Sequence, residues 1–116
     1  MPSSLKPGQA LHLWRATMLD LVKKKHADLS TRQIAILLTI YMDPPPHTIR
    51  GLAQKLGVTK PVITRALDSM GKLDLVARRR DDADRRNVIV TRTVRGSLYL
   101  DQLADVISTN AEGIPG

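Results

Sequence analysis

The sequence predicts a single, mainly α-helical domain that carries one small β-hairpin. Apolar side chains recur at helical spacing in five stretches, and two short β-prone runs flank an arginine-rich segment. A third observation is the net charge of +7, which is concentrated in one part of the chain. With 116 residues, of which 42% are hydrophobic, the chain suits one globular domain with a modest core.

The first helix is expected over residues 10–25, after a flexible N-terminus over residues 1–9 that contains Ser, Pro and Gly. Its apolar residues cover more than one side, because Leu13 and Leu19 lie off the main stripe. A helix with such wide apolar coverage needs two packing partners, which we expect to be its own core and a second subunit. The main stripe consists of Leu11, Trp14, Met18, Leu21 and Val22.

The second helix is predicted to begin after Ser30 and to end near residue 42. Ser30 and Gln33 form a capping-box pattern, in which each side chain bonds a free backbone N–H group. The prolines from Pro44 onward end the helix, because proline lacks the backbone N–H and disfavours helix in the residue before it. The side chains spaced for its buried face are Ile34, Leu37, Leu38 and Tyr41.

A third helix, short, is predicted up to Leu56. Thr48 is expected to cap its start, and Gly57 is placed to end it in the left-handed conformation. A glycine-containing turn between two helices is the pattern of a helix-turn-helix.

The second helix of this motif is predicted over residues 60–72. The Thr59 hydroxyl is expected to cap its free N–H groups, and Pro61 is tolerated in its first turn. Thr, Lys and Arg side chains on the exposed N-terminal turns suit the base edges of a DNA major groove. The buried face consists of Ile63, Ala66, Leu67 and Met70, and the exposed face of Lys60, Thr64, Arg65 and Asp68.

A basic hairpin is predicted next, from β-prone runs at residues 75–78 and 87–91 around ARRRDDADRR. Residues 50–95 hold twelve Lys and Arg and five Asp, whereas the rest of the chain holds six basic and six acidic residues. One region thus carries the whole net charge, which favours a nucleic-acid-binding surface over an ordinary solvated one. The loop's own acidic residues, Asp81, Asp82 and Asp84, are expected to pair with its arginines. A helix-turn-helix followed by a basic hairpin is a winged helix-turn-helix.

A last helix is predicted over residues 93–110, followed by a flexible tail over residues 111–116. Together with the helix at residues 10–25, it flanks a single winged-helix domain spanning residues 10–110. These two helices carry more apolar surface than a small core needs, so we expect them to be dimerisation helices. The residues expected at the dimer interface are Leu11, Trp14, Met18, Leu100, Leu103 and Ile107.

Several classes of function are excluded by composition. The chain has no cysteine and no histidines at ligand-like spacing, so no metal site, disulfide or cofactor is expected. The sequence shows no paired carboxylates, no nucleophile with a base and no glycine-rich phosphate loop, so an enzyme is not expected. Aromatic residues make up only 3%, which disfavours the stacking surfaces that bind single strands. Without a membrane-spanning run or a signal sequence, a cytoplasmic protein is expected.

Four segments carry a resemblance to a known family: LSTRQIAILLTI, TIRGLAQKLGVTKPVITRALDSM, LVARRRDDADRR and VIVTRTVRG. Over residues 29–96 the chain resembles the MarR family of bacterial transcription regulators. The resemblance implies a winged helix, homodimerisation and operator binding. The family's wing carries an acidic residue and then two basic ones, here Asp84, Arg85 and Arg86. By resemblance, Asp84 braces the wing while an arginine at its tip enters the minor groove.

The chain departs from this family at two points. Asp74 stands where a glycine is common before the first wing strand. The family also has two C-terminal helices that build the dimer, whereas this sequence stops soon after one. The dimer interface is therefore the part of the family pattern that this sequence matches least.

We therefore expect a sequence-specific, double-stranded DNA-binding transcriptional regulator that acts as a homodimer on a pseudo-palindromic operator. Helix 60–72 would enter the major groove and the wing, residues 78–90, the minor groove. The alternative is a winged-helix adaptor that binds protein through the same surface, which would be expected to show aromatic anchors. The sequence leaves open whether a small-molecule effector is sensed, and which one. The candidate DNA-binding residues are Thr59, Lys60, Pro61, Thr64, Arg65, Arg78, Arg79, Arg80, Asp84, Arg85 and Arg86.

Overall fold

The structure, a computed structural model, describes residues 4–24 and 27–116. Within those residues it contains five α-helices and a three-stranded antiparallel sheet, so the predicted fold class is confirmed. No helix among them is both long and apolar enough to span a membrane. The elements are α1 (Pro7–Lys23), α2 (Thr31–Met42), β1 (His47–Thr48), α3 (Ile49–Leu56), α4 (Lys60–Lys72), β2 (Val76–Arg80), β3 (Val88–Arg92) and α5 (Val94–Glu112).

The chain divides into two compact units, one formed by Met1–Asp28 with Leu100–Gly116 and the other by Leu29–Tyr99. The second unit contains the helix-turn-helix and the sheet. Its core is aliphatic, and a compact aliphatic core excludes water from one side of every element in the unit. The core side chains are Ile36, Leu37, Ile40, Leu52, Ile63, Leu67, Met70, Val76 and Val90.

The buried face of α2 differs from the expected one. Ile36 and Ile40 are fully buried beside Leu37, whereas Ile34 and Leu38 are only half-buried. The helix is apolar on several sides, so its periodicity alone did not select the stripe that meets the core. The capping box at its start is confirmed, because Gln33 N donates to Ser30 Oγ at 3.1 Å and Ser30 N donates to Gln33 Oε1 at 2.7 Å.

The first helix begins earlier than expected and ends at Lys23, and the last helix ends later than expected. Helix α1 begins at Pro7, so residues 7–9 are helical and not part of a flexible N-terminus. Proline is well tolerated as the first helical residue, because its missing N–H would be unpaired there anyway. Residues 1–3, and residue 25 at the expected end of this helix, lie outside the described residues. Helix α5 extends two residues past the expected end, to Glu112.

The first unit pairs α1 with the C-terminal part of α5. Asn110 Nδ2 donates to Asp20 Oδ2 at 3.0 Å and lies 3.4 Å from Thr17 Oγ1, and Thr17 is fully buried. Leu103 and Val106 are also buried. A buried hydroxyl with a partner costs little, whereas an unpaired one would be destabilising, so Asn110 stabilises this pairing.

Strand β1 was not predicted. His47 pairs with Val90 and Thr48 with Ile89, which adds a third strand beside β3 and gives the order β1-β3-β2. Two residues are too few to show strand periodicity, so only the tertiary pairing reveals this strand. The predicted cap and turn on either side of α3 are confirmed: Gly51 N donates to Thr48 Oγ1 at 2.9 Å, and Gly57 has a φ of 68°.

The hydroxyl of Tyr41 joins three segments of the second unit. It accepts from Thr93 N at 2.8 Å and lies 2.9 Å from Leu75 O and 3.2 Å from Thr93 O, so its one proton is shared between two carbonyls. The end of α2 is thereby tied to the residues just before β2 and just before α5. Gly96 permits this arrangement, because a Cβ there would collide with Tyr41 Oη and Leu75 O.

We predict that Gly96→Ala lowers the free energy of unfolding by about 1–3 kcal/mol, the usual cost of overpacking. The added methyl meets a backbone carbonyl, which cannot move aside as a flexible side chain could. The measurement is urea unfolding followed by circular dichroism.

Gly8→Ala is the matched control, because a Cβ at Gly8 meets nothing within 4 Å and the residue is also helical. This control should be neutral or stabilising by up to about 1 kcal/mol. Equal stability of the two variants would contradict the close packing at Gly96.

Candidate DNA-binding surface

Helix α4 presents the candidate base-reading side chains, and its apolar face holds it in place. Ile63, Leu67 and Met70 are fully buried and Ala66 is nearly so, as the spacing predicted. Thr59 occupies the N-cap position, but its side chain makes no capping hydrogen bond, so the predicted hydroxyl cap is wrong. The start of α4 at this residue follows from Pro61 in the first turn and from the extended backbone of Thr59, at φ −84° and ψ 160°. It does not depend on a hydrogen bond to the Thr59 hydroxyl.

The N-terminal half of α4 exposes most of the predicted side chains. Thr59, Lys60, Pro61 and Arg65 are exposed, whereas Thr64 is half-buried. Lys60 and Arg65 have no acidic partner among the described residues. Two cations are therefore available on the first turns of this helix.

The tip of the wing is shaped by two aspartates that accept backbone hydrogen bonds. Asp81 Oδ1 accepts from Ala83 N at 2.9 Å, and Asp84 Oδ1 accepts from Arg86 N at 3.2 Å. Hydrogen bonds between an aspartate side chain and the backbone N–H group two residues later are typical of Asx turns. They account for the sharp reversal between β2 and β3 and leave Arg85 exposed at the tip.

Asp84 also forms an ion pair with Arg86 on the wing. Arg86 Nε lies 3.0 Å from Asp84 Oδ1 and Arg86 Nη2 lies 3.1 Å from Asp84 Oδ2. The side-chain hydrogen bonds from Arg86, then its backbone N–H and the charge of Arg50, lower the pKa of Asp84 below its ordinary value. The same bonds raise the pKa of Arg86. Of the three wing aspartates only Asp84 pairs with an arginine, so the expected pairing of Asp81 and Asp82 is wrong within the described residues.

The remaining wing arginines differ in their partners. Arg78 Nη2 lies 2.8 Å from Asp68 Oδ1 on α4, so this arginine is held by the helix. Arg80 Nη1 donates to the backbone oxygen of Arg85 at 3.1 Å, across the hairpin. Arg79 and Arg85 are exposed and have no ion pair among the described residues. The candidate cations thus fall into a free group and a group engaged within the protein.

Two residues at this surface were not singled out from the sequence. Asp68 was placed on the exposed face of α4, but its pairing with β2 depends on tertiary structure. Arg50, exposed at the start of α3, lies close enough to Asp84 to lower that residue's pKa. Its only sequence signal was its position inside the basic segment.

The predicted dimer-interface residues lie in the first unit with different exposures. Leu11 is 70% exposed, Trp14 60% and Ile107 39%, whereas Met18 and Leu100 are half-buried. Leu103 is only 7% exposed and therefore belongs to the core of its own unit. The exposed members of this set leave apolar side chains in water, whereas Leu103 contributes to the core of its unit.

A small cleft lies beside β1, with a volume of about 140 Å³. Binding sites for drug-sized ligands are usually about 300–1,000 Å³. Its polar groups already have partners: Lys55 Nζ lies 2.6 Å from Asp43 Oδ2, and His47 Nε2 lies 3.1 Å from Asp43 O. The Lys55 ammonium, by hydrogen bond and charge, lowers the pKa of Asp43. This cleft is therefore a structural junction between α2 and α3.

Comparisons with known proteins agree with this geometry. A sequence profile of the MarR family matches residues 27–87, which is more than half of the chain. The crystal structure of MarR is 25% identical with a TM-score of 0.68, covering 90% of this chain and 78% of that one. The transcriptional repressor CouR, bound to a 23-mer DNA duplex, is 23% identical with a TM-score of 0.72, covering 96% and 84%. The S. aureus MepR–DNA complex is 16% identical with a TM-score of 0.70, covering 88% and 78%.

We predict that the carboxyl group of Asp84 titrates below the ordinary range for aspartate. Because its pKa is lowered in the folded protein, the stabilisation from this ion pair is present at neutral pH and is lost as the pH falls through the folded-state pKa. Arg86→Ala should raise the titration midpoint, measured from the carboxyl chemical shift by NMR.

Arg85→Ala serves as the control, because it removes a neighbouring charge that makes no bond to Asp84. It should move the midpoint less than Arg86→Ala does. An unchanged midpoint in Arg86→Ala would contradict the ion pair.

Proposed function

The chain belongs to the MarR family of DNA-binding transcription regulators, and from this we propose that it binds a pseudo-palindromic operator as a homodimer. In this proposal α4 enters the major groove and the wing, residues 78–90, contacts the minor groove. The observation that carries the proposal is that several exposed cations on α4 and the wing have no acidic partner among the described residues. Among them are Lys60 and Arg65 on α4 and Arg79 and Arg85 on the wing.

The affinity of such a surface comes first from phosphate contacts. Cationic side chains that neutralise phosphates release condensed counterions, which drives binding and makes it depend on salt. Arg79 and Arg85 are exposed on the hairpin and are not bound by carboxylates of the described residues. An arginine held in an ion pair within the protein would have to break that pair before it could bind DNA. Arg79 and Arg85 form no ion pair among the described residues and need no such step.

Base discrimination is proposed for the exposed face of α4. Arg65 is exposed near the N-terminal end of this helix, and an arginine that bonds both O6 and N7 of guanine contributes about 1–3 kcal/mol of discrimination. Lys60 lies five residues earlier, at the start of the helix, where a second base or phosphate would be reached. Thr64 is half-buried and would contribute contacts to a base edge at close range.

Two of the similar structures support DNA as the partner, since CouR and MepR were each solved bound to DNA. A protein-docking function has less support from the distribution of exposed apolar groups. The most exposed apolar side chains lie outside α4 and outside both wing strands, in α1 and α5 above all. Anchors of the kind that protein interfaces use are therefore absent from the basic surface within the described residues.

Homodimerisation is proposed through α1 and the C-terminal part of α5. Leu11 and Trp14 are the most exposed of the candidate interface residues. Large apolar side chains left in water on adjacent turns are stabilised by burial against a second copy. A two-fold axis would present two copies of α4 about 34–36 Å apart, one turn of DNA, which is why the operator should be a pseudo-palindrome.

We predict a strong salt dependence of DNA binding. If each subunit of the dimer neutralises three or four phosphates, the logarithm of the affinity plotted against the logarithm of the salt concentration should have a slope of about −5 to −7. Arg85→Ala should weaken binding and make the slope less steep by about one unit for each phosphate that the variant no longer neutralises. Fluorescence anisotropy with a labelled duplex at several salt concentrations measures both quantities.

Lys23→Ala is the control, because it removes the same charge from α1, outside the basic surface. Its slope should equal that of the wild type. A wild-type slope near zero would overturn DNA binding, and a normal slope in Arg85→Ala would overturn the contribution of the wing tip.

We predict that Leu11→Asp converts the protein into a folded monomer with much weaker specific DNA binding. Burying a leucine stabilises by about 1.5–3 kcal/mol, and the two-fold axis doubles the loss. Leu11 is better suited to this test than Leu103, because Leu103 is buried and its replacement by aspartate would disturb the fold. Light scattering gives the mass, and circular dichroism confirms folding.

Val94→Asp is the matched control, since Val94 is 79% exposed but lies in the other unit. This variant should remain dimeric. A wild-type protein that is monomeric at micromolar concentration would contradict the dimer.

A further inference from the structure

We propose that the ion pair between Asp68 and Arg78 is a positioning device, which fixes the wing on the recognition helix α4 so that both reach their grooves together. The inference rests on the DNA-binding function proposed above and adds to it the residues on which sequence discrimination depends. It assigns Arg78, a candidate DNA contact, to a role within the protein.

The geometry of the pair connects the two elements directly. Arg78 Nη2 lies 2.8 Å from Asp68 Oδ1, and their side chains are 33% and 53% exposed. Helix α4 packs against β2, and side chains alternate between the two faces of a strand. Arg78 therefore lies on the same face as buried Val76, the face turned toward the helix. Its register partner on β3 is Val90, which is also buried.

The side chain of Arg78 also follows the surface of α4. Its Nη2 atom is 4.0 Å from the position that a Cβ of Gly71 would occupy. Gly71 lies about one helical turn after Asp68 on α4. The guanidinium therefore lies along the C-terminal half of α4 and not away from the protein. Its neighbours Arg79 and Arg85 have no such carboxylate among the described residues.

The sign of the charge gives the second argument. Asp68 is the only acidic residue of α4, and it lies on the exposed face with Lys60 and Arg65. A carboxylate on a DNA-binding surface repels phosphates and lowers affinity for any DNA. Exposed ion pairs contribute little to stability, so stability alone does not account for a carboxylate at this position. We attribute the carboxylate to its effect on the relative placement of α4 and the wing.

This role predicts an outcome that simple electrostatics does not. Asp68→Asn removes a negative charge, which by itself should strengthen binding to every duplex equally and leave the ratio of affinities unchanged. If the pair positions the wing, the same variant should also lose discrimination between DNA sequences. The control is Asp28→Asn, because Asp28 is exposed before α2, outside α4, the wing and the proposed dimer helices, and forms no ion pair among the described residues.

The experiment uses the full chain and two duplexes of equal length. One is selected from a random pool with the wild-type protein, and the other is the same sequence shuffled. The ratio of the two affinities is measured by anisotropy for each variant. Asp68→Asn should lower this ratio about tenfold, within the range of coupling energies between contacting residues. Asp28→Asn should leave the ratio unchanged, and Asp68→Glu, which keeps the carboxylate, should retain most of it.

A thermodynamic cycle with Arg78→Ala separates positioning from contact. The double variant should discriminate no worse than either single variant, because both substitutions remove the same interaction. Thermal unfolding monitors the fold, and a role in stability alone would lower the melting temperature while leaving the affinity ratio unchanged. If Asp68→Asn does not fold, the ratios of Arg78→Ala and Asp68→Glu decide the question.

Three results would overturn the proposal. In the first, Asp68→Asn leaves the affinity ratio unchanged, as Asp28→Asn does. In the second, Arg78→Ala weakens both duplexes equally and reduces the salt slope, which would make Arg78 a phosphate contact. In the third, Asp68→Asn changes the preferred base at one position while Arg78→Ala does not, which would make Asp68 a base-reading residue. A wild-type protein that does not distinguish the duplexes would refute the proposed function itself, and this inference with it.

Discussion

The junction of α2 with the starts of the first wing strand and of α5 depends on the single hydroxyl group of Tyr41. That group bonds the residues that precede the first wing strand and the last helix, and Tyr41 itself lies in the last turn of α2. A half-buried hydroxyl with three partners within hydrogen-bond distance holds its surroundings in one geometry, because any displacement leaves a polar group unpaired. Arg92 strengthens the junction: its guanidinium lies 5.7 Å from the centre of the Tyr41 ring and its Nε donates to Ile40 O at 3.0 Å.

A basic surface of this density repels itself, and the protein limits that repulsion with a few well-placed carboxylates. Asp68 and Asp84 each hold one arginine, and Asp81 shapes the tip through a backbone N–H. Since such pairs are largely in water, their contribution is geometric more than energetic. They decide which arginines are fixed within the protein and which remain available. The free cations then lie on an ordered framework, so less conformational entropy is lost on binding.

Much of the fold could be predicted because local signals are strong in this chain. The Ser30 capping box, the Thr48 cap, the left-handed Gly57 and the apolar face of α4 all depend on residues close in sequence, and all were found as expected. The predictions failed where the local structure depends on contacts with residues far away in the sequence. The stripe of α2 that faces the core, the strand formed by His47 and Thr48, and the missing Thr59 cap bond are examples.

Asp74 shows the same division at a single residue. The sequence revealed it as a departure from the glycine usual in the family, and only the structure showed its φ of 58°. This left-handed conformation explains the preference for glycine, since most side chains are strained there, while a short polar side chain such as aspartate is better tolerated. The backbone N–H of this residue donates to Gly71 O and its carbonyl accepts from Thr93 Oγ1, so the surrounding bonds hold the conformation.

The sequence by itself determined the five helices and the two wing strands, their order and the concentration of positive charge on helix-turn-helix and wing. These follow from periodicity, capping residues and composition, which act over a few residues or need no geometry at all. Only the tertiary structure decided which charges are free. Arg78 and Arg85 look alike in the chain, yet one lies against the carboxylate of Asp68 and the other is exposed at the tip. The reason is that an ion pair depends on distance in space, and ten residues of sequence separate Asp68 from Arg78.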